Sequence, residues 1–145
     1  MEKQNEMQLI LDSRSVNEGF ARAAVAAFAA QLDPTVEELN DIKTLTSEAV
    51  TNCIVHAYPN LCGRIYITCR IYAGGLLEIS VKDRGIGIED IAKAKEPMFT
   101  TGGQERAGMG ITIMESFAEN FRLTSRPGKG TCVRMRKRVM PRMRR

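Results

Sequence analysis

The segment Glu48-Ala49-Val50-Thr51-Asn52 lies on the helix around which the predicted fold is organised. The apolar residues of this helix recur at three- and four-residue steps, which is typical of an amphipathic helix. They are Val36, Leu39, Ile42, Leu45, Ala49 and Cys53. Because Glu48 and Asn52 are four residues apart, they share one face at the edge of that apolar stripe. The pattern therefore places a carboxylate and an amide side by side at the rim of a pocket.

The chemistry of this pair favours a nucleotide site. A carboxylate in such a position can accept a proton from an attacking hydroxyl or water. The amide oxygen of Asn52 is a hard ligand suited to Mg²⁺, which usually keeps waters and bridges substrate phosphates. The alternative is a solvated polar flank of the helix, and the pair alone does not decide between them.

Signals on either side of this helix predict an α/β fold of two layers, a mostly antiparallel sheet with helices on one face. We expect a capping box at Ser15–Glu18 and an N-cap at Asp33 before a proline. Gly74-Gly75 predicts a hairpin turn. The predicted strands cover about 7–11, 64–73, 76–82, 121–125 and 131–138, and the helices about 15–31, 33–56, 89–95 and 110–119.

Length and charge bound the class of protein. A chain of 145 residues fits one domain, which we place at 1–138, followed by a basic tail at 139–145. Seven of the 21 basic residues lie within 134–145, which contains no acidic residue, so the net charge of +4 comes from the end of the chain. We interpret this end as solvated; binding of acidic partners or nucleic acid is the alternative. No aromatic residue lies in it, and we expect no direct nucleic-acid binding.

The cysteines and the N-terminus indicate a cytoplasmic protein. The four cysteines form no C-x-x-C pair and only one histidine is present, which makes a zinc site unfavourable. Reduced thiols fit the cytosol. The first residues are polar rather than typical of a signal peptide, and no apolar stretch reaches the length of about 20 residues that crosses a bilayer, so we expect no membrane association.

A second motif, Asp83-Arg84-Gly85-Ile86-Gly87, follows an apolar strand. A carboxylate only accepts hydrogen bonds, so it can select a base with an exocyclic amine, as in adenine. Gly85 and Gly87 let the backbone approach a ring closely. An ordinary turn aspartate with turn glycines is the alternative.

A third motif, Gly108-Met109-Gly110, precedes the predicted helix at 110–119. Free amides at a helix start bind phosphates with the help of the helix dipole. Arg106 could add a charge-assisted contact to a terminal phosphate. The chain has no Walker pattern, so the common alternative phosphate loop is excluded. A flexible helix entry remains the simpler interpretation.

Together the three motifs resemble the ATP-binding boxes of the GHKL (Bergerat-fold) superfamily, which includes gyrase and histidine kinases. The flanking sequence is similar to that of the anti-sigma F factors of spore-forming bacteria over nearly the whole chain. The segments that carry this second resemblance are Phe20–Arg22, Leu32–Thr35, Ser47–Tyr58 and Glu105–Glu115.

The resemblance implies an activity and a set of partners. Members of that family are homodimers that hold a sigma factor away from RNA polymerase, bind ATP with Mg²⁺ under a mobile lid, and phosphorylate a serine of an anti-anti-sigma protein of the STAS type. It implies that Met7–Leu11 and the first helix build the dimer contact.

The resemblance also implies roles for individual residues. Glu48 would be the general base, Asn52 the Mg²⁺ ligand, and Arg22 would lie on the partner surface. The residues implied to bind the nucleotide are Asn52, Asp83, Gly85, Gly87, Thr100, Thr101, Arg106, Gly108, Met109, Gly110 and Thr131.

The chain departs from the family pattern at the lid, where Gly102 and Gly103 follow the two threonines instead of lysine and proline. A lid lysine is therefore not expected to contact phosphate. Three other functions stay open: a stress-response anti-sigma kinase, a protein-binding module that uses ATP only as a structural ligand, and a detached histidine-kinase domain. The last is disfavoured because the chain has no helical hairpin to present a phosphoacceptor.

Overall fold

The computed structural model describes residues 2–59, 61–88 and 104–141, with the backbone alone at 104–108. Five strands form one antiparallel sheet in the order β1-β2-β3-β5-β4. The strands are β1 (Lys3–Asp12), β2 (Arg64–Tyr72), β3 (Leu76–Asp83), β4 (Asn120–Arg126) and β5 (Gly130–Arg138). The helices are α1 (Val16–Ala29), α2 (Val36–Asn52) and α3 (Gln104–Phe117), with a 3₁₀ turn at Ala30–Leu32 and a π-helical turn at Cys53–Ala57.

The core lies between one face of the sheet and the helices, as the sequence predicts. Side chains alternate along each strand, and the register aligns Ile67 with Val81 and Cys69 with Ile79, so that apolar residues share one face. Buried residues of the three helices described above cover that face, among them Val25, Leu45 and Met114. The predicted two-layer α/β architecture is confirmed.

The hairpin between β2 and β3 turns at Gly74 and Gly75, which have φ angles of 83° and 77°. Positive φ at both positions strongly favours glycine, so the predicted hairpin turn at Gly74-Gly75 is confirmed.

The caps predicted for the first two helices need correction. Ser15 does precede α1, but its backbone is helical and its side chain makes no cap hydrogen bond. An N-cap normally needs an extended backbone so that its side chain can reach back to a free amide. Helix α2 is capped by Thr35, whose Oγ1 accepts from Glu38 N at 3.0 Å while Glu38 Oε1 accepts from Thr35 N at 2.8 Å. Asp33, the predicted cap, is instead a left-handed residue two positions earlier.

The face of the sheet away from the helices, here called the outer face, is polar. Its centre is Glu78, which is 2% exposed and lies 2.8 Å from Arg136 Nε and 3.2 Å from Arg70 Nη1. Because residues 134–138 belong to β5, much of the basic character assigned to the chain end is part of the sheet.

The chain stays packed where the predicted tail begins. Val139 is buried and its amide donates to Gly75 O, while Met140 N donates to Glu38 Oε2 at 3.0 Å. The division into a domain at 1–138 and a tail at 139–145 stays a prediction.

Candidate functional site

Glu48 and Asn52 lie on the last turns of α2, on the side that faces α3. A Cβ atom added to Gly110 would lie 2.8 Å from Glu48 Oε2 and 3.5 Å from Asn52 Oδ1. Buried neighbours, including Leu45 and Ala49, fix the helix against the core. The carboxylate and the amide therefore point together at one bare stretch of the neighbouring helix.

The motif that contains Gly110 differs from its prediction. Helix α3 begins at Gln104, so Gly108, Met109 and Gly110 lie inside the helix rather than at its start. Gln104, Glu105, Arg106 and Ala107 are all strong helix formers, which extend the helix by six residues. Gly110 is needed for close approach to α2, not for a turn.

The predicted start of this helix at 110 is therefore wrong. The first amides of the helix, which its own hydrogen bonds leave free, belong to residues 104–107. Phosphate binding by Gly108, Met109 and Arg106 stays a prediction, and the Arg106 side chain is not described. Thr100 and Thr101 lie outside the described residues.

Asp83 ends β3 and is 4% exposed. Its Oδ1 accepts from the backbone amides of Gly85 at 2.9 Å and Thr131 at 3.2 Å. Burial raises the pKa of Asp83, while these hydrogen bonds and one from Cys53 oppose that rise. Asp83 is thus a buried acceptor held by two strand ends.

Thr131 contributes to this arrangement through its backbone. Its hydroxyl is 2.8 Å from Ser125 Oγ, and Ser125 Oγ also accepts from Ile88 N at 2.7 Å. Ser125 was not predicted as a site residue. It is the cross-strand partner of Thr131 next to the β4–β5 turn, so pairing the two predicted strands would have indicated it.

Cys53 joins the two predicted motifs. It follows Asn52 directly and its Sγ donates to Asp83 Oδ2 at 3.5 Å. Burial, and then the nearby carboxylate, raise the pKa of the Cys53 thiol well above its usual range, so the sulfur stays protonated. The end of α2 and the end of β3 are therefore in direct contact.

The π-helical turn after Asn52 brings α2 onto the Asp83 loop. Ala57 O accepts from Ile86 N at 2.9 Å, and a Cβ at Gly85 would lie on that same carbonyl oxygen. Tyr58 Oη accepts from Arg84 N at 2.8 Å and donates to Arg64 O at 2.7 Å. π-Helical turns are frequent at functional sites.

The other glycine of this loop has a conformational role. Gly87 has a φ of 77°, and a Cβ there would collide with Arg126 O. Ile86 O accepts from Gly128 N at 2.7 Å. The Asp83–Gly87 loop is therefore packed between the end of α2 and the β4–β5 turn.

Arg22 lies elsewhere. Its Nη1 is 3.2 Å from Glu18 Oε1 on the exposed side of α1. It borders a groove of about 440 Å³ between α1 and α2, whose lining also includes Ala26, Leu39 and Lys43. This groove shares no lining residue with the cluster of Glu48, Asn52, Asp83 and Gly110, here called the pocket cluster.

The described residues contain neither a cluster of metal ligands nor a membrane-crossing helix. Within 2–59, 61–88 and 104–141, no group of three or more histidine, cysteine or acidic side chains is placed to hold a metal. Among the helices of those ranges, none has both the length and the apolar character required to cross a membrane.

Comparison with known proteins places this geometry in a family. Residues 11–137 match the model of the histidine kinase-like ATPase domain. An anti-sigma F factor of Thermoanaerobacter sp. (strain X514) is 56% identical over 140 residues, covering 96% of this chain and 97% of the relative. An anti-sigma F factor of Geobacillus kaustophilus is 49% identical over 136 residues, covering 93% of each chain.

A solved structure supports the fold. The RsbU and RsbW domains of a Mycobacterium tuberculosis protein superpose with a TM-score of 0.69 at 20% identity, covering 94% of this chain and 33% of that longer one. At this identity the likeness concerns the fold alone.

Proposed function

The chain belongs to the anti-sigma F factor family of histidine kinase-like ATPase domains, and we propose that it inhibits a sporulation sigma factor and uses ATP to phosphorylate a serine of an anti-anti-sigma protein. A protein that captures a sigma factor acts in the cytoplasm. The stress-response type of anti-sigma kinase is the alternative within the same fold.

The observation that supports the chemistry best is the approach of Glu48 and Asn52 to Gly110. Because Gly110 has no side chain, Glu48 Oε2 and Asn52 Oδ1 both lie close to the backbone of α3, within 2.8 Å and 3.5 Å of where a Cβ would be. An ATP phosphate chain placed along this face would bring its terminal phosphate near Glu48, while the adenine would lie toward Asp83.

Two residues of the pocket cluster, Glu48 and Asp83, then have separate roles. Glu48 accepts the proton of the serine hydroxyl as that oxygen bonds to the terminal phosphorus of ATP and the bond to the β-phosphate oxygen breaks. Asp83 accepts a hydrogen bond from the adenine amine through Oδ2, since its Oδ1 is taken by two backbone amides.

The residues present also fit Mg²⁺. Asn52 offers one hard oxygen, Oδ1, on the side of α2 that faces Gly110. Mg²⁺ usually takes only one or two protein ligands and completes its shell with phosphates and water, so the lack of a larger acidic group in the described residues agrees with it. When bound, the ion would neutralise charge on the phosphates.

The substitution Glu48→Gln tests the catalytic role. It keeps the shape of the side chain but removes the base, so ATP binding should persist while phosphorylation of the cognate anti-anti-sigma protein falls by about 10²–10⁴-fold. Glu37→Gln is a matched control, because Glu37 is an exposed glutamate on the same helix three turns away. Unchanged phosphorylation by Glu48→Gln would contradict the assignment.

The same phosphorylation assay distinguishes a kinase from a non-catalytic protein-binding module. If the parent protein binds ATP and the partner yet leaves no phosphoserine, the protein is a binding module in which ATP is a structural ligand. Radiolabel from the terminal phosphate of ATP, located in the partner by mass spectrometry, supports the kinase.

The groove beside Arg22 suits an acidic segment of a partner. It combines an alanine-lined floor with two cations, Arg22 and Lys43. We therefore assign sigma-factor and anti-anti-sigma binding to this side of α1, away from the pocket cluster.

A homodimer through β1 and α1 is also part of the proposal. Met7, Leu9 and Leu11 pack toward the core, whereas Ile10, Val16 and Phe20 are 58%, 79% and 55% exposed. An Ile10→Lys variant should sediment as a monomer at concentrations where the parent is a dimer. Lysine at Val36, which is 77% exposed at the start of α2, is the control.

A further inference from the structure

The two oxygens of Asp83 have different surroundings. Two backbone amides hold Oδ1, from Gly85 and Thr131. The only hydrogen bond that Oδ2 receives from the described residues comes from the thiol of Cys53, at 3.5 Å. The plane of this carboxylate is therefore fixed on one side by the backbone and on the other by a sulfur.

Cys53 is held in place independently of Asp83. It directly follows α2, its amide donates to Ala49 O and Val50 O, and it is 3% exposed within the core. Such a side chain has little freedom to move away. It can thus orient the carboxylate rather than simply follow it.

We propose that Cys53 is a positioning residue for nucleotide specificity: its thiol sets the orientation in which Asp83 Oδ2 faces the amino group of adenine. This rests on the proposed function, in which Asp83 accepts from that amino group. The thiol donates to one lone pair of Oδ2 and leaves the other for the ligand. Inosine triphosphate has a carbonyl in place of the amino group. Its carbonyl oxygen would face Asp83 Oδ2, and because both atoms only accept hydrogen bonds, this nucleotide should bind poorly.

The consequence is a specificity effect that general loosening of the core does not produce. Removing the thiol allows the carboxylate to rotate about its Cβ–Cγ bond and weakens one hydrogen bond to ATP. We expect the Cys53→Ala variant to bind ATP about 3- to 10-fold more weakly, while inosine triphosphate affinity stays nearly constant. The preference for ATP over inosine triphosphate therefore falls by the same factor.

The experiment measures dissociation constants of ATP and inosine triphosphate by titration of the full-length protein. The variants are Cys53→Ala, Cys53→Ser and Cys69→Ala. Serine keeps a donor and should restore the parent preference to within about twofold. Cys69 is a fully buried sheet thiol whose pKa burial raises to about 12, so Cys69→Ala removes a core sulfur remote from Asp83 and should leave the preference unchanged.

Two results would overturn the proposal. One is an unchanged preference in Cys53→Ala; the other is an equal loss in Cys53→Ala and Cys69→Ala, which would indicate core loosening. If Cys53→Ala does not fold, Cys53→Val keeps the bulk without the donor and must show the same loss of preference.

Asp83→Asn distinguishes this proposal from the proposed function. If Asp83→Asn keeps the parent preference for ATP, adenine recognition by Asp83 fails and the thiol proposal fails with it. If Asp83→Asn loses the preference while Cys53→Ala keeps it, only the role of Cys53 is refuted.

Discussion

Replacing Gly110 with alanine should change stability and catalysis in opposite directions. Alanine favours the helix, whereas catalysis needs the absence of a side chain at this position. Gly110 is buried inside α3, where a glycine lowers helix stability by roughly 0.5–1 kcal/mol relative to alanine. The new methyl would lie 2.8 Å from Glu48 Oε2, closer than such atoms normally approach. The end of a glutamate side chain can rotate away, so this contact should be relieved by moving the carboxylate rather than the helices.

Movement of the Glu48 carboxylate should affect stability and phosphotransfer differently. The free energy of unfolding should stay equal to that of the parent or rise by up to about 1 kcal/mol. Phosphotransfer should fall by about 10²-fold or more, because the general base moves and the methyl occupies the space beside Asn52.

Urea denaturation gives the stability, and transfer of labelled phosphate to the cognate partner gives the activity. Gly19→Ala in α1 is the control for helix propensity, since its Cβ would meet nothing closer than 3.8 Å. It should gain a similar stability with ATP affinity unchanged. Full phosphotransfer by Gly110→Ala, or a loss of more than about 1 kcal/mol in its stability, would refute the reasoning.

Three further predictions concern other contacts. Tyr58→Phe removes the hydroxyl that bridges Arg84 N and Arg64 O, and should lower the free energy of unfolding by about 1–2 kcal/mol in urea denaturation; no change would mean that water replaces the hydroxyl. Glu78→Gln leaves Arg70 and Arg136 without their shared carboxylate and should lower the free energy of unfolding by about 2–4 kcal/mol. A urea denaturation midpoint equal to that of the parent would contradict this prediction. Burial raises the folded pKa of Asp83 above its ordinary 3.8, so its contribution to stability is full below that value and declines as pH rises through the folded pKa. The difference in free energy of unfolding between the parent and Asp83→Asn should thus decrease from pH 4 upward. An increase would mean that folding lowers the pKa of Asp83 instead of raising it.

Local patterns in the sequence were sufficient for most of the sheet. Alternation along β2 and β3 and the Gly74-Gly75 turn depend on neighbouring residues only, so both strands were predicted to within one residue. Helix starts were predicted less well. Ser15 has the composition of a cap, but its backbone is already helical, and sequence composition does not report backbone angles.

The motifs of the candidate site were visible, but the links between them were not. The spacing of Glu48 and Asn52 indicates one helix face from local geometry alone. The contact of Cys53 with Asp83 joins residues 30 apart and exists only after helix and sheet pack. The start of α3 was misplaced because glycines usually suggest a turn, whereas here close approach to α2 accounts for Gly110.

The π-helical turn at Cys53–Ala57 links opening of the end of α2 to release of the Asp83–Gly87 loop. Its hydrogen bonds span one residue more than those of an α-helix and are less stable, so it is the place where the end of α2 would open first. The amide of Ile86 bonds to Ala57 O and becomes accessible to solvent when that carbonyl leaves. Hydrogen exchange at this single amide would therefore record how often the helix end releases the Asp83 loop, and nucleotide that bridges both should slow it.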